Sequence, residues 1–531
     1  MEKQAPSIFN DVIGPVMRGP SSSHVAGAAR IGDLLRQMAE GDLKEVIVDF
    51  DVNGSLAESH EGHGTDMGFA CGILGVPLTD PRVDRYEELV RESGIDLQYR
   101  ILDYGAEHPN HYRICAQTGK GETIRMDAIS TGGGMIEMVA LEGCPVSVLG
   151  DSCESFFLLQ AGESETSAVT EEMEKLSPQI GSLEQFMVTA GAGICAVDVK
   201  TAVPLTEEER KCVEGALEKR WTLTGKYFME PILPTHSSAG KAVPFRNASE
   251  LLEYNKDKNL PLWELAVLYE SVRGNTTKER VMKQMRGLVK IMDQAAKEGL
   301  AGTEYADRIL HVQANKVDAN TEKLVPGSVM NDIIKYITAI MEAKSSMKVI
   351  VAAPTAGSCG CLPGTLLALE HSLGLDREET VRGMFAAGMV GAIFAELATF
   401  AAEVGGCQME CGAGSGMAAA GVTQMMGGTA EECLDAASVA LQGLTGLACD
   451  PVANRVEVPC LNKNIVGGMN AVSSTNMVLA GFDRVIPLDE TIRAMLDIGQ
   501  KLPLELRCTF GGLGKTETSL RIRKELELRR K

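Results

Sequence analysis

GMFAAGMVGAIFAELAT at 383–399 and GMAAAGVTQMM at 416–426 decide the architecture of this chain's second half. Both are built from Ala, Gly and Met, and small residues let helix backbones approach closely. They predict a densely packed all-helical domain. NASE at 247–250 reads as the start of its first helix, with apolar residues following at helical spacing. The apolar run from Gly383 to Gly406 is long enough to cross a membrane, but Glu396 and Glu403 within it point to a buried helix.

Upstream, EPILPTHSSAGKAVP at 230–244 is rich in Pro, Ser and Gly and reads as a linker. Before it comes a strand (Phe156–Gln160), a helix (Ser167–Leu176), two strands (Gln185–Ala190, Ile194–Val203), a helix (Thr206–Lys219) and a strand (Trp221–Phe228). That βαββαβ order is ferredoxin-like and resembles the ligand-sensing ACT modules. The first part mixes Gly-rich turns with β-forming runs such as EVIVDFD at 45–51 and TIRMDAI at 123–129, and a helix-like run over Met67–Leu74. The expected layout is multidomain: an α+β domain at 1–148, an ACT-like βαββαβ segment at 149–232, a linker at 233–245, and an all-α catalytic domain at 246–531.

At 531 residues the chain exceeds one ordinary core. Its 44% hydrophobic and 23% charged content is that of a soluble globular protein. A formal charge of −21 argues against nucleic-acid or anionic-membrane partners. MEKQAPSIFNDVIGPVM lacks an export signal, so a cytoplasmic setting is expected, in which fourteen Cys point to buried thiols, metal ligands or redox chemistry. Eight of them fall in the last third.

Three segments of the helical half set a cysteine among turn-forming or acidic residues: GGCQMEC at 405–411, LACDPV at 447–452 and EVPCLNKN at 457–464. Their lead residues are Cys407, Cys449 and Cys460. Thiolates hold iron–sulfur clusters, and three of them on a cubane leave one iron open to act as a Lewis acid, where four leave an electron carrier. No C-x-x-C pair is present, so zinc and ferredoxin patterns are absent, and buried apolar thiols are the competing reading.

The steps of 42 and 11 residues between these cysteines, and the words EVGGCQ, SGMAAAG, GLACDPV and VPCLNKN around them, resemble the iron–sulfur-dependent L-serine dehydratases. AAPTAGSCGCLPG at 352–364 is similar to that family's APTNGAAG loop, and FGGLGKT at 510–516 to its late GGL segment. GPSSSH at 19–24, GHGTD at 62–66, HPN at 108–110 and STGGGMI at 130–136 resemble its smaller domain. The order is that of the fused, single-chain members.

The resemblance implies a [4Fe-4S] cluster held by Cys407, Cys449 and Cys460, and no pyridoxal phosphate. It implies dehydration of L-serine, followed by release of pyruvate and ammonia. L-Threonine, L-cysteine or another small hydroxy acid are alternative substrates, and a non-catalytic iron–sulfur redox or sensor protein is the alternative function. His24 and His63 are the candidate bases, each in a Gly/Ser-rich loop, with the choice between them open. Ser21, Ser22, Ser23, Gly64, Thr65, Asp66, Thr355 and Gly357 are the candidate substrate-binding residues, offering hydroxyl and backbone N–H donors. The partner implied is a small amino acid, in a homodimer.

Two features depart from the family pattern. Ala356 stands where the family's loop has Asn, with Cys359 and Cys361 added nearby. The chain ends RIRKELELRRK, a charged helix-like tail without a terminal cysteine. The fourth cluster position is thus open to solvent or taken by Cys411 or Cys508. Lys515 in GLGKT echoes a phosphate loop, but Thr509 occupies the first glycine position, which argues against nucleotide binding.

Overall fold

The computed structural model describes residues 4–235, 242–306 and 308–530; residues 236–241 of the expected linker lie outside them. Leu43–Asp51 forms a strand that turns Val46, Val48 and Phe50 into the first core. It lies inside a six-stranded mixed sheet ordered Asp96–Leu102, Leu43–Asp51, His111–Thr118, Thr123–Gly132, Met135–Leu141, Cys144–Val148. The first pair is parallel and the rest antiparallel. Helices Gly27–Met38 and Thr65–Leu74 cover one face through Ile31, Leu35, Phe69 and Ile73.

A second sheet follows, ordered Thr222–Met229, Cys153–Gln160, Ile194–Thr201, Leu183–Gly191, and wholly antiparallel. Helices Thr166–Leu176 and Glu207–Leu217 pack on one face, against Phe157, Leu159, Val197 and Val199. The expected strand and helix order is therefore present, with ends shifted by a few residues. The other face sends Phe156, Leu158 and Ala196 into the core of the first sheet. Strand alternation thus serves two cores at once, and the segment is welded to its neighbour.

Beyond the linker the chain is helical, opening at Ala248 with Asn247 as cap, its side chain accepting Glu250 N–H. The two Ala/Gly/Met stretches lie in helices Arg377–Leu397 and Cys411–Met425, which pack against each other. The most apolar window of Arg377–Leu397 is 78% buried inside the fold, the setting of a core helix.

Two details differ from the reading of the sequence. Residues 8–17, assigned there to the α+β unit, insert Ile8, Phe9, Val12 and Ile13 among the helices, with Phe9 edge-on to Phe385. Ser7 Oγ and Ile8 N–H both donate to the buried Glu270. The helical half also contains one short strand, Ile350–Val351, pairing antiparallel with Val16–Met17. Two-residue strands and short apolar straps carry no periodicity to read.

Candidate active site

The site is assembled where this strap joins the two halves. Ser22–Ala26 forms one wide turn, with Gly27 N–H donating back to Ser22 O, a geometry frequent at functional sites. It buries His24 completely. His24 Nε2 meets Ser59 Oγ at 2.7 Å, and that hydroxyl donates to Ser55 O. Ser59 therefore accepts from His24, which leaves His24 Nδ1 to accept from the Ser21 hydroxyl at 3.1 Å; Ser23 Oγ lies at the same distance but gives its single proton to Glu403. Burial, helped by neighbouring His60, pushes the His24 pKa down to about 3. Both ring nitrogens are occupied and the ring is neutral.

His63 differs. It ends helix Leu56–His63, where Gly64, at φ +89, turns the chain sharply into the next helix. The His63 ring stands edge-on to His24, 4.8 Å between centroids. Its Nε2 is buried without a hydrogen-bond partner among the described residues. Its Nδ1 lies 3.9 Å from Cys508 Sγ, across the junction between the halves. Burial, then the closeness of the His24 ring, which resists a second charge beside it, and of Arg455, holds its pKa well below the usual histidine range.

The helical half supplies thiols and carboxylates. Cys407, Cys411, Cys449 and Cys508 form one buried cluster, and Cys460 is buried at the head of helix Cys460–Leu479. Cys407 and Cys411 Sγ are 3.5 Å apart, and all five are free thiols. The Cys411 thiol, helped by nearby Lys463, draws the Cys407 pKa down to about 7, while Cys411 itself is pushed up. Cys508 N–H donates to Cys449 O, fixing that pair of loops together. Asn464 ties the cysteine segments to the Thr355 loop: its amide donates to Gly357 O and Cys460 O, and its oxygen accepts Cys361 N–H.

Glu410, between two of the cysteines, accepts the Thr355 hydroxyl at 2.7 Å; burial, then Cys407, raises its pKa to about 8. A Cβ on Gly357 would stand 2.9 Å from Glu410 Oε1, so this loop needs a glycine for the close approach. Glu403 is also buried, with Oε1 accepting from Ser23 Oγ at 3.2 Å and lying 3.6 Å from His24 Nδ1. Burial raises its pKa as well.

Of the residues expected from sequence, His24, His63, Ser21 and Ser23 converge here with the cysteines. Ser22 Oγ instead accepts Ala356 N–H, joining the two loops. Thr65 is buried with its hydroxyl unmatched. Asp66 points to His60 Nδ1 at 2.8 Å and is engaged there. Cys359 packs in the main helical core, its thiol 4.0 Å from Met341 Sδ. Lys515 pairs with Glu505 on the surface. The reading missed Glu403, Glu410, Ser59 and Asn464 as site residues. Glu403 had a signal, a charge within an apolar run. Ser59 had none.

Among the described residues no three His, Cys, Asp or Glu side chains converge as they would on a single metal ion. A cavity of about 510 Å³ opens between helix Gly27–Met38, Ile13–Val16 and the linker residues Ile232 and Pro234, away from these groups.

The family model described as "Serine dehydratase alpha chain" matches residues 257–513, and that described as "Serine dehydratase beta chain" matches residues 12–140. The chain is 39% identical over 285 residues to the probable L-serine dehydratase alpha chain of Bacillus subtilis, covering 53% of this chain and 95% of that one. The probable beta chain from the same organism is 36% identical over 178 residues, 34% of this chain and 79% of the relative. L-serine dehydratase of Helicobacter pylori is 23% identical over 507 residues, 94% of this chain and 96% of the other.

Proposed function

This chain belongs to the L-serine dehydratase family, with alpha-type and beta-type parts joined in one polypeptide, and from that premise we propose that it dehydrates and deaminates L-serine to pyruvate and ammonia. One observation carries the reading: His63 of the α/β unit touches Cys508 of the thiol cluster and keeps its Nε2 unmatched. A buried ring nitrogen without a partner is costly unless a ligand uses it.

His63 is the base. Burial keeps its imidazole neutral near pH 7, so Nε2 can take the α-proton. His24, with both nitrogens engaged, holds the Ser21 hydroxyl and orders the seryl turn, whose backbone N–H groups bind the substrate carboxylate. The Thr355 loop, anchored by Glu410 and Asn464, forms the opposite wall. Loss of the α-proton and the β-hydroxyl leaves aminoacrylate, which tautomerises and hydrolyses without further catalysis.

Five buried thiols, none paired in a disulfide and with Lys463 beside Cys407, are a soft donor set that fits an iron–sulfur cluster. A cubane spreads its thiolates over separate irons, so convergence on one point is not required. Cys407, Cys449 and Cys460 would hold it. When bound, a [4Fe-4S] cluster with one iron free of thiolate supplies a Lewis acid for the substrate hydroxyl. The proposal includes a cytoplasmic homodimer, and a sensing role for the ferredoxin-like segment.

The test is anaerobic purification with iron and sulfide analysis, followed by pyruvate or ketobutyrate assay on L-serine, L-threonine and L-cysteine. Brown protein releasing pyruvate from L-serine is expected. A colourless, metal-free preparation with full activity overturns the cluster, and an iron-loaded protein inert on all three substrates overturns the lyase reading. Cys411 and Cys508 in the same cluster of thiols favour a second reading, a fully ligated redox centre. Serine-induced perturbation of a single iron in the Mössbauer spectrum excludes it.

A further inference from the structure

Glu403 presents an electrostatic imbalance that the chemistry above leaves unused. It comes from the helical half yet points into the seryl turn of the α/β unit, where it is 3% exposed. Among the described residues its nearest ion-pair partner is His24, at 3.6 Å. That ring is neutral, and its Nδ1 is already served by the Ser21 hydroxyl. His108, which also faces Glu403, is itself held toward the neutral form by burial. A buried carboxylate is ordinarily paired with a cation, because the cost of desolvating it is otherwise unmet.

The surroundings repeat the pattern. The Asn110 amide group faces Glu403, and among the described residues its oxygen has no hydrogen-bond partner, although the residue is 1% exposed. His63 Nε2 is equally unmatched. The acceptors here are a carboxylate and an amide oxygen, and what they lack is a small cationic donor. The other acidic groups of the region are engaged: Asp66 with His60 and Glu410 with Thr355.

We propose that Glu403, with the Asn110 side-chain oxygen, binds the α-ammonium of the substrate and so selects amino acids over acids lacking the amine. The proposal rests on the amino-acid lyase reading above and assigns one functional group of that substrate to one residue. An ammonium there places the α-carbon between the seryl turn, which takes the carboxylate, and His63. Glu403 then makes substrate recognition depend on both halves, since it is supplied by one and aimed into the other.

The test compares L-alanine and propionate, which differ by the ammonium and cannot be dehydrated. Both are titrated by calorimetry into the anaerobically prepared holoenzyme. Wild type should prefer L-alanine by roughly tenfold or more, the scale of one charge-assisted hydrogen bond. Glu403→Gln should bring the ratio near one and raise KM for L-serine about tenfold, with propionate binding unchanged. Glu403→Asp, which keeps the charge, should retain the preference at weaker affinity. A wild-type ratio near one overturns the assignment, even if neither variant folds. So does a folded, iron-loaded Glu403→Gln variant that keeps the preference. If wild type makes no pyruvate from L-serine, the lyase reading fails while the alanine-to-propionate ratio still judges Glu403.

Discussion

The two walls of the site obey opposite rules. The α/β wall consists of neutral groups locked by hydrogen bonds: His24 between three serines, Ser130 Oγ donating to Ser23 O, and Ser59 donating to Ser55 O. The helical wall holds the groups that can carry negative charge, Glu403, Glu410 and five thiols, with few hydrogen bonds among them. The first wall is satisfied without a ligand except at His63 Nε2, the Thr65 hydroxyl and the Asn110 amide. The second contains buried anion-forming groups that need a cation, an iron–sulfur cluster or a proton to be stable. Geometry is therefore set by one half and reactivity by the other, and His63 stands where they meet.

The largest effect expected is on the thiol wall. Cys407→Ser, Cys449→Ser and Cys460→Ser should each remove both bound iron and activity, by analogy with the loss of any ligand from a thiolate-held centre. Retained iron and turnover in one variant would strike that cysteine from the ligand set and weaken the contrast drawn here.

Next come the two histidines. His63→Gln should lower kcat by about 10²- to 10⁴-fold, the usual contribution of a general base, with Tm nearly unchanged. His24→Gln should do the reverse: a loss of about 1–3 kcal/mol in stability from broken buried hydrogen bonds, with a smaller fall in kcat. Equal kinetic losses with equal Tm would erase the distinction between base and scaffold.

Acid should separate the walls too. Native His24 takes up a proton only near pH 3, whereas the unfolded chain does so near 6.5. The unfolded state thus binds more protons between those values, so stability is full above pH 6.5 and declines as pH falls toward 3. Because the pKa of His63 is also depressed, kcat/KM should be level through neutrality and fall only below the ordinary histidine range. His60, whose pKa Asp66 keeps raised despite burial, would give a fall beginning above 6.5 if it were the base instead. Denaturation midpoints and kcat/KM measured from pH 5 to 8 check both.

The smallest effect belongs to Cys359, which lies beside Met341 in the helical core. Cys359→Ala should leave iron content and kcat intact and cost about 1 kcal/mol through a small void. Iron loss would mean that it belongs to the thiol wall after all.

Much of this was legible beforehand, for identifiable reasons. The strand and helix order of 153–229 follows from periodicity in each segment, and EVIVDFD carries its alternation openly. Asn247 marks a helix start because its side-chain oxygen accepts the otherwise unpaired N–H three residues on, a contact local in sequence. Local signals failed where the partner is remote. Residues 8–17 look like the start of the first domain but bury themselves beside Phe385 and pair with Ile350–Val351. Ser59 is an ordinary helical serine until His24, 35 residues earlier, is placed on it.

The order of residues alone determined the kinds of chemistry available: which segments are helical or extended, which thiols sit in turns, and which family's words surround them. Those are properties of spacing, and spacing survives in an unfolded chain. Folding alone decided which groups meet. It put a carboxylate from residue 403 against hydroxyls from the first turn, and left one of two similar histidines with a free nitrogen. Charge and hydrogen-bond demand become costly only when water is removed, and burial is a property of the assembled tertiary structure.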